Sequence, residues 1–182
     1  MSGGESTFNV AEAAEAAAAL LGGLASSVRS LRGRVVIELT PAALPEVAAK
    51  LHDDGSLDYK YLSFAGGVDY LSRMEAVYLL RSSAHGVVTE LRVALDREDP
   101  VVPTVSNIWS TAQWHERETY DLLGIQYEGH PDLRRILTRG DDGVFPLRKD
   151  ARPHRVSRDE WRFEGVAPAK RLPGEEKRTE RS

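Results

Sequence analysis

Val87–Leu95 reads VVTELRVAL: Thr89, Leu91, Val93 and Leu95 fall on one side, and Glu90 and Arg92 point the other way. That alternation is the pattern of a half-solvated antiparallel strand. The run before it, Met74–Ser82 (MEAVYLLRS), is separated from it by Ser83-Ala84-His85-Gly86. A polar, glycine-containing connection of that length predicts a hairpin. Working outward, Tyr59–Ala65 and Arg34–Thr40 (RVVIELT) are two further strand-like runs. Pro45 suits the first turn of a helix through about Asp53, with Val47, Ala48 and Leu51 on one side, so strand 34–40 leads into a crossover helix.

Two more helices bracket this block. Asn9–Leu21 (NVAEAAEAAAALL) begins with Asn9 and Glu12 at capping-box spacing and ends at Gly22-Gly23. Its apolar side is alanine and therefore thin, which predicts weak docking or fraying. Ser106–Leu123 is helical in composition, with Gly124 as its C-terminal stop. Helix-strand-helix-three strands-helix predicts an α+β fold, a two-layer domain with helices on one face of a mixed, mostly antiparallel sheet. The predicted organisation is an alanine-rich helix and linker over 1–33, the α+β domain over 34–125, and a long extended C-terminal arm with a basic tail over 126–182. The arm is rich in Gly, Pro, Asp and Arg without periodicity, the make-up of a partner-wrapping extension.

Composition narrows the chemistry. The 182 residues contain 24 Lys and Arg against 28 Asp and Glu, a net charge of −4, and no nucleic-acid-binding balance is visible. With no Cys there can be no disulfide, thiolate nucleophile or Cys-held iron–sulfur cluster on the chain. No apolar run approaches the ~18 residues of a membrane span, and the first ten residues lack the basic start of a secretory signal. The expectation is a chain on the cytoplasmic side that meets a membrane only through partners.

Functional groups are densest in Trp114-His115-Glu116-Arg117-Glu118-Thr119-Tyr120-Asp121. His115-Glu116 on a helix is half of a zinc-protease pattern, yet the second His four residues on is replaced by Thr119. Glu116 and Glu118 lie about 200° apart on a helix and cannot act together on one atom. A metal-dependent hydrolase built from His115, Glu116, Asp121 and His130 stands as a remote alternative. A solvated helix face with Arg117 and Asp121 as an i,i+4 pair is the plain structural reading. The aromatic and arginine mixture favours a protein–protein contact.

The stretch Glu116–Leu137 (ERETYDLLGIQYEGHPDLRRIL) resembles the signature of the C subunit of respiratory NADH:quinone oxidoreductase, complex I. Gly67-Val68-Asp69-Tyr70, Val102–Trp109 and Pro146-Leu147-Arg148-Lys149-Asp150 look like the same family, so the resemblance covers roughly 34–150. Many relatives carry Gly-His before that proline, where this chain has Val144-Phe145, and an aromatic where it has Ala151.

The resemblance implies a non-catalytic member of a proton-translocating complex, packed in its peripheral arm on the cytoplasmic side of the inner membrane. It implies contacts with three other proteins of that arm: the D subunit, which carries the quinone site, the cluster-carrying I subunit and the B subunit. Flavin, iron–sulfur clusters, NADH and quinone are then held by partner subunits, and neither cofactor nor catalytic residue is expected here. The expected interface residues are Trp114, Glu116, Arg117, Glu118, Asp121 and Gly124 on the helix, His130, Pro131 and Arg135 beyond it, and Pro146, Arg148, Lys149 and Asp150 in the arm. The homologous subunit of ferredoxin-, deazaflavin- or hydrogenase-linked membrane complexes is the nearest alternative.

Overall fold

The computed structural model describes residues 8–138 and 143–151. Five strands form one sheet: β1 (Ser27–Leu31), β2 (Arg34–Leu39), β3 (Tyr61–Asp69), β4 (Met74–Arg81) and β5 (Val88–Leu95), in the order β1-β2-β5-β4-β3. β4 pairs antiparallel with both β3 and β5, which places Tyr78 opposite Leu91, and β2 runs parallel to β5 with Ile37 opposite Leu91. The parallel pair requires a crossover, and helix α2 (Leu44–Asp53) begins it as predicted.

Helix α1 (Val10–Leu21) carries its capping box: Asn9 Oδ1 accepts the Ala11 and Glu12 N–H groups, and Glu12 accepts the Asn9 N–H at 2.9 Å. Its expected weak docking is corrected. Ala13, Ala14, Ala17 and Leu21 are buried in the core, because short alanine side chains let the helix backbone approach the sheet closely. The boundary expected at residue 34 also falls inside a hairpin. β1, which no sequence pattern predicted, pairs with β2 through Arg32-Gly33, both at positive φ (50° and 78°), the conformation of a tight hairpin turn. β1 is largely exposed, so burial never imposed an apolar pattern on it.

Helix α3 (Ala112–Leu123) is shorter than the predicted 106–123. Thr104 Oγ1 accepts the Ser106 N–H at 3.0 Å, a local bond that competes with helix formation, and turns at 106–108 and 110–111 precede the helix. Gly124, in the left-handed region at φ 75°, ends the helix as expected. β3 extends through Gly66-Gly67, past the end predicted at Ala65. A Cβ on Gly67 would lie 2.7 Å from both Leu123 and Ile125, so α3 sits against bare backbone.

Beyond α3 the chain does not leave the body at once. β7 (Gln126–Glu128) pairs parallel with β6 (Val101–Pro103), and Ile125 and Tyr127 are core residues. Residues through Ala151 form one compact unit with the body, so the arm expected from 126 is, over its described part, folded back. The distal tail lies outside the described residues. All three helices contribute to one core on one sheet face, as predicted. The other face carries ion pairs, Arg29 with Glu38, and Arg34 and Arg92 with Glu90. Among the described residues no helix is long and apolar enough to cross a membrane.

Candidate functional site

The helix period of α3 divides its signature among three directions. Trp114 (64% exposed) and Glu118 face solvent, Glu116 turns into the core, and Arg117, Asp121 and Gly124 face the returning arm. The expectation that the whole charged cluster is presented to a partner is therefore corrected for Glu116, Arg117 and Asp121. They are buried, because a charged group is tolerated inside only where donors or opposite charge compensate it, and here the arm or a neighbouring turn supplies them.

Asp121 is the hub of the first fastening. One carboxylate oxygen accepts the N–H groups of Ile136, Leu137 and Thr138 at 2.9, 2.6 and 3.0 Å, and the other accepts from the Thr138 hydroxyl and from Arg135 Nη1 at 3.2 Å. Burial by itself would raise its pKa. The Thr138 hydroxyl and the three backbone donors outweigh that and hold the carboxyl well below the usual range. Arg135 also donates to the Asp121 and Val144 carbonyl oxygens, and Arg117 donates through Nε to the Arg134 carbonyl oxygen at 3.2 Å. The expected Arg117–Asp121 pair does not form: Arg117 lies 3.6 Å from Asp132 and stacks over Trp114.

The second fastening is aromatic. Phe145 lies against Gly124, where a Cβ would come within 2.6 Å of its ring, and the guanidinium groups of Arg135 and Arg148 flank it at 5.1 and 4.8 Å from the centroid. Arg148 Nε donates to the Leu123 carbonyl oxygen at 2.7 Å, and the Leu147 N–H donates to that of Leu122 at 3.0 Å. Arg148 thus closes the C-terminal end of α3, where a cation is favoured.

A third fastening was missed as a site. Asp69, at the end of β3, accepts both Nε and Nη2 of Arg97 at 3.1 Å and the Lys149 N–H at 2.9 Å, and Arg97 reaches Asp150 at 2.7 Å. The Arg97 fork, helped by the Lys149 and Leu71 N–H groups, holds the Asp69 carboxyl well below its ordinary range. The Gly67-Val68-Asp69-Tyr70 stretch and the expected Lys149 and Asp150 hinted at it, whereas Arg97 carried no signal. Pro131 and Pro146 are exposed or nearly so at the surface of the arm, and Lys149 takes part through its backbone alone.

His130 is brought to Glu116, its Nε2 4.0 Å from Oε2, whereas Asp121 points into the 136–138 turn and His115 packs against the Phe64 ring. The four hydrolase candidates do not converge. Among the described residues no three His, Asp or Glu side chains are grouped to hold a metal ion.

The fold and the three fastenings define an α+β domain whose last helix, α3, is bolted to a returning arm. The sequence matches the family described as respiratory-chain NADH dehydrogenase, 30 Kd subunit, over residues 37–156, and the chain belongs to that family. It is 39% identical to the NADH-quinone oxidoreductase C subunit of Salinispora arenicola over 78% of this chain and 59% of the relative. It is 42% identical to that of Roseiflexus castenholzii over 65% of this chain and 70% of the relative. The chain thus spans under two thirds of the length of the first of these. Among solved structures it resembles Nqo5 in a trypsin-resistant fragment (1–134), with a TM-score of 0.53 and 32% identity over 59% of this chain and 89% of that one. A chain of an archaeal membrane-bound sulfane sulfur reductase shares the fold at a TM-score of 0.66 and 20% identity, over 76% of this chain and 84% of that one.

Proposed function

We propose that this chain is a non-catalytic structural subunit in the peripheral arm of a proton-translocating NADH:quinone oxidoreductase, supporting electron transfer from NADH to quinone. The observation that carries this reading is the use made of the signature. Its buried charges, with Asp69, fasten residues 129–138 and 143–151 to the body, while Trp114 and Glu118 stay exposed beside them. Charged groups committed to internal bonds are suited to setting shape. The shaped surface of Trp114, Glu118, Pro131, Pro146 and the arm then meets the D subunit at the quinone site, with the I and B subunits nearby. Flavin, iron–sulfur clusters, NADH and quinone belong to those and other partners, and the chain sits on the cytoplasmic side of the inner membrane, held by the complex.

The test is affinity purification of the tagged chain from gently solubilised native membranes, with mass spectrometry of what accompanies it and an assay of NADH-dependent quinone reduction. Flavin and iron–sulfur subunits with that activity are the expected result. Hydrogenase- or ferredoxin-linked partners move the chain to a sister complex, and a lone chain overturns the reading.

A further inference from the structure

The sheet face turned away from the helices carries Glu38, Glu75 and Glu90. Glu38 accepts from Arg29 at 2.6 Å and from the Ser27 hydroxyl at 3.0 Å, and Glu90 accepts from Arg34 at 3.1 Å and from Arg92 at 2.7 Å. Glu75 is as buried as Glu90, each 6% exposed, yet its carboxylate accepts no hydrogen bond from any described residue. Its one ion pair among the described residues is with Arg73 at 3.7 Å, beyond hydrogen-bond reach, and that guanidinium is half-exposed and lies 4.6 Å over the Tyr70 ring. The register gives the reason: opposite Glu75 stand Ala94 on β5 and Val68 on β3, and neither side chain has a donor. A carboxylate buried without donors is costly and uncommon. The short Ala94 side chain also leaves room. Glu75 and Ala94 line a cavity of about 430 Å³, within the ~300–1,000 Å³ of ligand pockets, with Leu39 and Pro41 as its other apolar lining.

We propose that this cavity is a socket for a long cationic side chain, an arginine, presented by a partner protein. The head group donates to the Glu75 carboxylate, and the aliphatic stem lies along Leu39, Pro41 and Ala94. Arginine fits better than lysine because its planar fork donates to both carboxylate oxygens and sheds water more readily. Arg73 and Arg92 line the cavity too, which makes an anion the competing occupant. Arg92 is already held by Glu90, and an anion in the cavity faces the Glu38 and Glu75 carboxylates while leaving Glu75 without a donor. A small apolar ligand is disfavoured as well, since no aromatic residue lines the cavity. None of the lining residues belongs to α3 or to the arm, so this is a docking point separate from the surface proposed above. That the arginine comes from a partner protein rests on reading the chain as a subunit; the preference for a cation does not.

The experiment is an NMR titration of the full chain with N-butylguanidinium, and separately with butyrate, following the Ala94 methyl and the Glu75 side-chain carboxyl. The expected result is saturable shifts of both signals with butylguanidinium and none with butyrate. Glu75→Gln and Ala94→Met, which fills the cavity from the opposite strand, should each weaken binding about tenfold or more, the loss of a charge-assisted hydrogen bond or of the space for it. Absence of saturation with butylguanidinium overturns the socket, as does butyrate saturating the same signals or binding that neither variant weakens. Ala94→Met keeps the carboxylate in place, so the test stands even if Glu75→Gln fails to fold. In the membrane purification described above, both variants should lower recovery of companion subunits several-fold; unchanged recovery in both overturns the docking role. A wild-type chain that purifies alone overturns the subunit reading, on which the probe titration does not depend.

Discussion

Glu116 and Asp121 are carboxyl groups five residues apart on one helix, both fully buried, and they are held in opposite states. Asp121 receives three backbone N–H groups, a hydroxyl and an arginine, and is stabilised as an anion. Glu116 receives one N–H and one hydroxyl with no cation, and burial lifts it toward neutrality. Neither side chain is exposed to solvent, so ionisation is decided by the donors and charge around each and by the deeper setting of Glu116. The two ends of α3 consequently respond to pH in opposite directions. Asp121 and Asp69 contribute stability above their unfolded pKa, near 3.8, and lose it as pH falls through their depressed folded values. Glu116, raised from 4.5 to about 7, favours the folded state less as pH rises between those values.

The harshest way to break this comparison is Asp121→Ala, which leaves three N–H groups and Arg135 facing an apolar methyl. A loss of about 3–5 kcal/mol is expected in chemical denaturation, with new protease cleavage in residues 129–138. Gly67→Ala disturbs the C-terminal half of α3, between Glu116 and the arm, by pushing Leu123 and Ile125 off β3. It should cost about 1–3 kcal/mol, measured as a fall in thermal midpoint with the acid limb of the pH–stability profile unchanged in shape. Phe145→Ala removes the ring between Arg135 and Arg148 at the anionic end only. About 1 kcal/mol is expected, together with faster amide exchange at Leu147, whose N–H is bound to Leu122. Trp114→Ala, on the solvent side, should change stability by no more than about 0.5 kcal/mol. Under the proposed function it still lowers recovery of partner subunits, measured by co-purification.

Much of the scaffold was readable along the chain. The Asn9–Glu12 cap, the alternation in 87–95, Gly124 as a helix stop and the Glu116–Leu137 stretch around it are patterns along the chain. β1 was not readable, since an exposed edge strand needs no apolar alternation and its turn uses Arg32-Gly33 in place of Asn-Gly. The docking of α1 was misjudged because alanine is weak by area but permits close approach. The interface set was legible as a set of special residues but not in its direction: Arg135, Arg148 and Asp150 close bonds inside the molecule.

Sequence by itself determined the element types, the shared hydrophobic face, the absence of cysteine chemistry and the family. Tertiary structure alone decided that Asp121 meets the 136–138 turn, that Asp69 meets Arg97 and Lys149, and that Glu116 meets the Val105 N–H and the Thr104 hydroxyl. Helix caps and strand patterns are governed by covalent neighbours. The charge state of a buried carboxyl is governed by donors that come from distant parts of the chain and converge on it only in the folded molecule.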